Sequence, residues 1–118
     1  MMKPIELDKV QEILNRFADK EVYIHLETTN GAYASHINEK AYNVGAYIRN
    51  AKVRFNQAKI VHDGKIYRAG LKMDIGWIYA EGLTDWEIVE NEKLLLAGHD
   101  REGRLMVSLQ ISETPFNY

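Results

Sequence analysis

The sequence contains no cysteine. That excludes a disulfide framework, a thiolate zinc site and a thiol nucleophile, so any chemistry must come from His, Asp, Glu, Ser, Thr or Tyr. No stretch approaches the roughly 20 apolar residues that span a bilayer, and the opening MMKPIELDKV has no apolar core of signal-peptide length. The expected compartment is the cytosol, with no membrane partner. A nucleophile elbow, a Walker-type phosphate loop and a dinucleotide-binding glycine pattern are all missing. There is no internal repeat, low-complexity tract or linker, and the net charge of -2 argues against a dedicated nucleic-acid binder.

What is present is the material of one globular domain spanning residues 1–118. Hydrophobic residues make up 46% and charged residues 27%, which is a soluble globular balance and not a disordered one. Val10, Ile13, Leu14 and Phe17 keep the i, i+3, i+4, i+7 spacing of a helix with one buried stripe. Asp8 with Gln11 three positions on reads as a variant capping box, and the helix should fade near Asp19-Lys20. Everything after Lys20 is short β-branched and aromatic runs between turn residues. Strands are expected near 21–28, 32–37, 43–49, 51–61, 65–72, 75–81, 86–90, 93–98 and 104–111. In the last of these Leu105, Val107, Leu109 and Ile111 alternate with Met106, Ser108, Gln110 and Ser112, marking a core face and a more polar face. Turns are expected at Asn30-Gly31, Asp63-Gly64, Glu90-Asn91-Glu92 and Asp100-Arg101-Glu102-Gly103, the last as a type I turn followed by a left-handed glycine. The expected fold is mainly β, a small antiparallel barrel or sandwich with one N-terminal helix over an open end or face.

Three constellations are candidates for function. A two-residue turn at Asn30-Gly31 would set His25 opposite His36, with Glu27 two residues along the same face. Two imidazoles and a carboxylate can hold a divalent metal, and a metal-dependent hydrolase at His25, Glu27 and His36 is one reading. The plainer reading is a cross-strand pair on an outer face without metal, because a metal centre needs three well-placed ligands and supporting partners. Next, the segment from Arg49 to Lys72 carries Arg49, Lys52, Arg54, Lys59, Lys65, Arg68 and Lys72 against Asp63 alone, interleaved with Phe55 and Tyr67. It suits an anion site or, at lower rank, single-stranded nucleic acid, and its ordinary reading is a solvated sheet face balanced by the acidic stretch that follows. Finally, MDIGWIYAEGLTDWE brings together Trp77, Trp86, Asp74, Glu81 and Asp85. Carboxylates with aromatics can line a sugar-binding cleft, whereas two tryptophans are more ordinarily core anchors. Arg49, Lys52, Arg54, Trp77 and Trp86 are the candidate ligand contacts. An exposed aromatic face would favour a ligand or a homodimer partner.

The strings HLETTNGAYASH, GAYIRNAKVR, GLKMDIGWIYAEGLTDWE, LLLAGHDREGRL and QISETPF resemble the YojF family, small proteins of bacilli and their relatives, over nearly the whole chain. The family is a domain of unknown function with no accepted catalytic residues to carry over. The resemblance implies a gene neighbourhood shared with a zinc-dependent deacetylase of bacillithiol synthesis, whose substrate is a malate-bearing N-acetylglucosamine. It therefore implies an accessory or binding role, with that deacetylase or a small anionic sugar metabolite as partner. The chain itself shows no deacetylase metal motif.

Overall fold

In the computed structural model, which describes residues 1–29 and 44–117, the stripe Val10, Ile13, Leu14 and Phe17 is buried along one side of α1, Leu7–Phe17. The helix starts one residue before Asp8. Its N-cap is Glu6, which makes no side-chain capping bond, and Asp8 sits in the first turn, where a carboxylate favours the helix dipole. The expected capping box is absent because Gln11 has another partner. Its Nε2 donates to the Ala58 carbonyl at 2.9 Å and its Oε1 accepts the Ile60 N–H at 3.0 Å. A helix side chain thus satisfies the open ladder of an edge strand that would otherwise invite pairing.

The strands are β1 (Lys3–Pro4), β2 (Glu21–Thr29), β3 (Gly45–Arg54), β4 (Gln57–Asp63), β5 (Ile66–Lys72), β6 (Trp77–Leu83), β7 (Asp85–Val89), β8 (Lys93–His99) and β9 (Leu105–Ser112). They form a six-stranded sheet in the order β1-β7-β8-β9-β2-β3 and a three-stranded sheet β4-β5-β6, antiparallel throughout. One core joins them, with Val22, Ile24, Leu94, Leu96, Leu109 and Ile111 from the larger sheet meeting Ile60, Ala69, Leu71, Ala80 and Leu83 from the smaller. The fold is therefore mainly antiparallel β and sandwich-like. The barrel alternative is corrected, since among the described residues the larger sheet ends at β1 and β3 and the smaller at β4 and β6. The chain leaves the first sheet through Phe55-Asn56 and re-enters it at Thr84, so two separate ladders result. No helix among the described residues is long and apolar enough to cross a membrane.

Asn50 changes the expected boundaries. A strand break near that residue is replaced by a bulge, with His25 of β2 facing both Arg49 and Asn50 of β3 between the pairs Ile24↔Ala51 and Leu26↔Ile48. Asn50 takes φ 57°, the left-handed conformation that Asn tolerates better than most residues. β3 therefore continues to Arg54. The expected strand 32–37 and the Asn30-Gly31 turn lie outside the described residues.

Two turns match their sequence signals. Glu90 and Asn91 both have positive φ, and the Glu92 N–H donates to the Val89 carbonyl at 3.1 Å, as in a type I′ turn. Gly103 has φ 79° and donates to the Asp100 carbonyl at 3.0 Å. The Asp100 carboxylate accepts the backbone N–H groups of Arg104 (3.0 Å) and Glu102 (2.9 Å) and the Arg104 Nε–H (2.8 Å). These bonds, the Arg104 N–H foremost, hold its carboxyl below the usual carboxylate range. A depressed acid stabilises the fold above its unfolded value of about 4, and that stabilisation disappears as pH falls through the folded value. Urea unfolding of wild type and Asp100→Asn at about pH 7 and about pH 3 should show the gap between them narrowing in acid. An equal gap at both pH values would refute this role for Asp100.

Candidate ligand-binding face

Alternation along β6 places Trp77 and Tyr79 on the side of the three-stranded sheet opposite Ile78 and Ala80, which face the core. The two aromatic side chains are 48% and 54% exposed. Their rings stack with centroids 5.4 Å apart and planes 9° apart. Register explains why they lie down on the sheet. Tyr79 pairs with Gly70 of β5 and Trp77 with Lys72. A Cβ on Gly70 would stand 3.0 Å from Tyr79 Cε1 and 3.6 Å from Trp77 Cε3, so glycine there is the floor on which both rings rest.

Cations surround the rings. Lys59 of β4 pairs with Gly70, and Arg68 shares the outer parity of Gly70 on β5. With Val61, Gly70, Trp77 and Tyr79 they line a notch of about 200 Å³. The Lys72 ammonium lies 5.9 Å from the Trp77 ring centroid. Among the described residues Lys59, Arg68 and Lys72 form no ion pair. Glu81 stands at the β6 bulge opposite Arg68 without pairing to it. Exposed stacked aromatics beside unpaired cations can hold a ring through its face and an anionic substituent through charge.

The other sequence candidates are dispersed. Arg49 donates to the Asn117 carbonyl and covers the Phe116 ring at 4.9 Å. Lys52 pairs with Glu21 at 3.1 Å, and that hydrogen bond raises its ammonium above the usual lysine range. Arg54 donates to the Asp19 carbonyl at 2.6 Å. Trp86 is 4% exposed beneath the Lys3 ammonium, so it is a core anchor, separate from the face that carries Trp77. The cations of the basic segment thus divide between two sheets and do not form one track.

Of the two plain readings of His25, solvated or partly packed on the outer face, burial excludes the solvated one. It is 4% exposed. Its Nε2 lies 3.2 Å from Glu27 Oε1, while Nδ1 is buried without a hydrogen-bond partner among the described residues. Tyr47 meets the ring edge-on at 5.1 Å and Phe116 at 6.4 Å. Phe116 is held there by Asn50, whose Oδ1 accepts the Phe116 N–H at 2.7 Å and whose Nδ2 donates to its carbonyl at 2.8 Å. The returning C-terminal segment therefore buries a sheet face that β2 alone would leave open. Across the ladder His25 pairs with Gln110 of β9 and faces the bulge of β3. His36 lies outside the described residues, and among the described residues no three His, Asp or Glu side chains are grouped to hold a metal.

Tyr79, Gly70, Lys59 and Arg68 were not singled out by sequence reasoning as a group. The local signal was the alternation Trp77-Ile78-Tyr79, yet only strand register joins it to Gly70 and Lys59. Another missed contact is His99 Nδ1 to Asp85 Oδ1 at 3.2 Å, where Asp85 also accepts the Thr84 hydroxyl at 2.6 Å. The Thr84 Oγ1 in turn accepts the His99 backbone N–H at 3.1 Å, tying β7 to β8 at the point where the chain re-enters the larger sheet.

Comparison with known proteins agrees with this architecture. The chain is 58% identical over 115 residues to the uncharacterized protein YojF of Bacillus subtilis (strain 168), covering 98% of both chains. Its fold is similar to the crystal structure of Bacillus subtilis YojF, with a TM-score of 0.81 at 51% identity, covering 99% of this chain and 98% of that one. Residues 4–116 match the model of a family described as a protein of unknown function, DUF1806, and the chain belongs to that family.

Proposed function

We propose that this protein is a non-catalytic cytosolic binding protein that holds a small anionic sugar metabolite on the outer face of β4-β5-β6, as an accessory to the deacetylase of bacillithiol synthesis. The observation that carries the binding role is the exposed Trp77–Tyr79 stack over Gly70, flanked by Lys59, Arg68 and Lys72, which form no ion pair among the described residues. The C–H-lined face of a sugar ring can cover the apolar surface of an indole, and a carboxylate can be met by lysine or arginine. The notch of about 200 Å³ is smaller than an enclosed small-molecule site, so it takes an anionic substituent while the ring lies over the open Trp77–Tyr79 stack. An exposed aromatic pair of this kind is unusual on a face that serves only solvation. The link to bacillithiol rests on the gene neighbourhood implied by the family resemblance.

Isothermal titration with malate-linked glucosamine tests the binding role. Trp77→Ala should weaken binding at least about tenfold, equivalent to about 1.4 kcal/mol, with the circular dichroism unchanged because the indole is half exposed. Lys59→Gln and Arg68→Gln should weaken it in a salt-dependent way. Absence of heat with wild type, together with failure to co-purify with the deacetylase, would remove the proposal.

A further inference from the structure

A second cavity, of about 720 Å³, opens where α1 gives way to β2 and where the β5–β6 turn approaches the end of β3. It falls within the roughly 300–1,000 Å³ range of small-molecule sites. Asp19, Arg54, Asn56, Met73, Asp74 and Ile75 line it. Charges of both signs therefore share one cavity, yet among the described residues none of Asp19, Arg54 and Asp74 forms an ion pair. Opposite charges held apart on the walls of a cleft are complementary to a ligand that itself carries both.

The walls are set by backbone hydrogen bonds. Asp19 takes φ 63° and is fixed from both ends, its N–H donating to the Phe55 carbonyl at 2.8 Å and its carbonyl accepting Arg54 Nη2 at 2.6 Å. That bond anchors one arm of the guanidinium fork and leaves its remaining N–H groups for a ligand. Across the cleft the turn is held by Asn56 N–H to the Lys72 carbonyl at 2.9 Å and Met73 N–H to the Gly76 carbonyl at 3.1 Å. Ile75 is 94% exposed there, an aliphatic side chain with nothing to cover it. Walls organised before binding lower the ordering cost of capture.

We propose that this cleft binds a small zwitterion of the α-amino-acid class, its carboxylate on Arg54, its ammonium between Asp19 and Asp74, and its side chain against Met73 and Ile75. The site is independent of the Trp77–Tyr79 face and of any ligand there. Because the cleft is open to water, affinity falls in the millimolar range, on the order of 1 mM.

Amide-shift titration of the full chain with glycine, leucine and glutamate, each to about 10 mM, tests it against acetate and methylammonium as half-ligands. Saturable shifts at Asp19 and Met73–Gly76 are expected, with leucine binding more tightly than glycine and each half-ligand at least about tenfold weaker. Asp74→Asn, at a side chain that forms no ion pair among the described residues, should weaken binding by about fivefold or more, and Arg54→Gln should abolish it. Trp77→Ala should leave it unchanged, which separates this site from the sugar face. The proposal fails if no amino acid shifts these amides, if acetate alone matches the zwitterions, or if Asp74→Asn binds like wild type.

Discussion

Replacing Gly98 with alanine should cost about 3 kcal/mol or more, at or beyond the upper end of ordinary overpacking penalties. A Cβ at that position would stand 2.0 Å from the Gly82 carbonyl oxygen, 2.6 Å from Val107 Cγ1 and 2.9 Å from the Gly82 carbonyl carbon. Two of these three atoms are backbone, so no rotamer change relieves the clash. The carbonyl cannot easily retreat either. Gly82 has φ 80° in the β6 bulge, and two residues on, the Thr84 N–H donates to the Ala97 carbonyl at 2.8 Å. β6 of the smaller sheet therefore rides directly on β8 of the larger, and Gly98 is the point of contact. Against a total stability of roughly 5–15 kcal/mol, such a loss leaves little margin. Urea unfolding measures it, with Gly103→Ala as the control. Gly103 has open space around it and only its φ of 79° to protect, so its substitution should cost about 1–2 kcal/mol. A Gly98→Ala loss no greater than the control would refute the close approach.

Phe55→Ala should cost about 3–5 kcal/mol, the usual range for truncating a buried phenylalanine. Phe55 is fully buried and is the largest side chain in that condition among the described residues. It also occupies the corner between β3 and β4, where the chain passes from one sheet to the other. Its carbonyl accepts the Asp19 N–H, so the corner is tied to the end of α1 as well. Loss of the ring removes apolar surface from the one core cluster to which the helix and both sheets contribute. Phe55→Leu, which keeps much of the volume, should cost less than half as much, roughly 1.5 kcal/mol. The urea midpoint should fall with its slope unchanged, since the surface exposed on unfolding scarcely alters. A Phe55→Ala midpoint within error of wild type would show that the corner is not a core position.

Much of the fold was legible in single segments because the forces involved are local or periodic. The 3.6-residue stripe of α1 and the alternation of β9 report directly which side chains leave water. Gly103 took the left-handed conformation expected of it, and a turn formed at Glu90-Asn91-Glu92 as expected, while the left-handed conformations of Glu90 and Asn91 were not legible in the sequence. Capping was misread because Gln11 could not be known to lie against β4. The strands expected at 43–49 and 51–61 join across Asn50, because a left-handed Asn within a bulge bends a strand without ending it. The candidate site was half legible. Trp77 stood out by type, but Trp86, equally prominent in sequence, is buried 4% exposed on β7. His25 was expected on an open face because the return of Phe116 over it, clamped by Asn50 from 66 residues away, leaves no local trace.

By itself the sequence determined a single β-rich chain with one amphipathic helix, without thiol chemistry and with a basic segment from Arg49 to Lys72 followed directly by an acidic stretch. These follow from composition and from periodicities of two and 3.6 residues, which act within a segment. The tertiary structure decided the division into two sheets, the burial of His25 and Trp86, and the assembly of Trp77, Tyr79, Gly70, Lys59 and Arg68 on one exposed face. Those depend on strand register and on contacts between distant segments. A one-residue shift in pairing would turn the same side chains to the opposite face, so no property of any one segment could specify them.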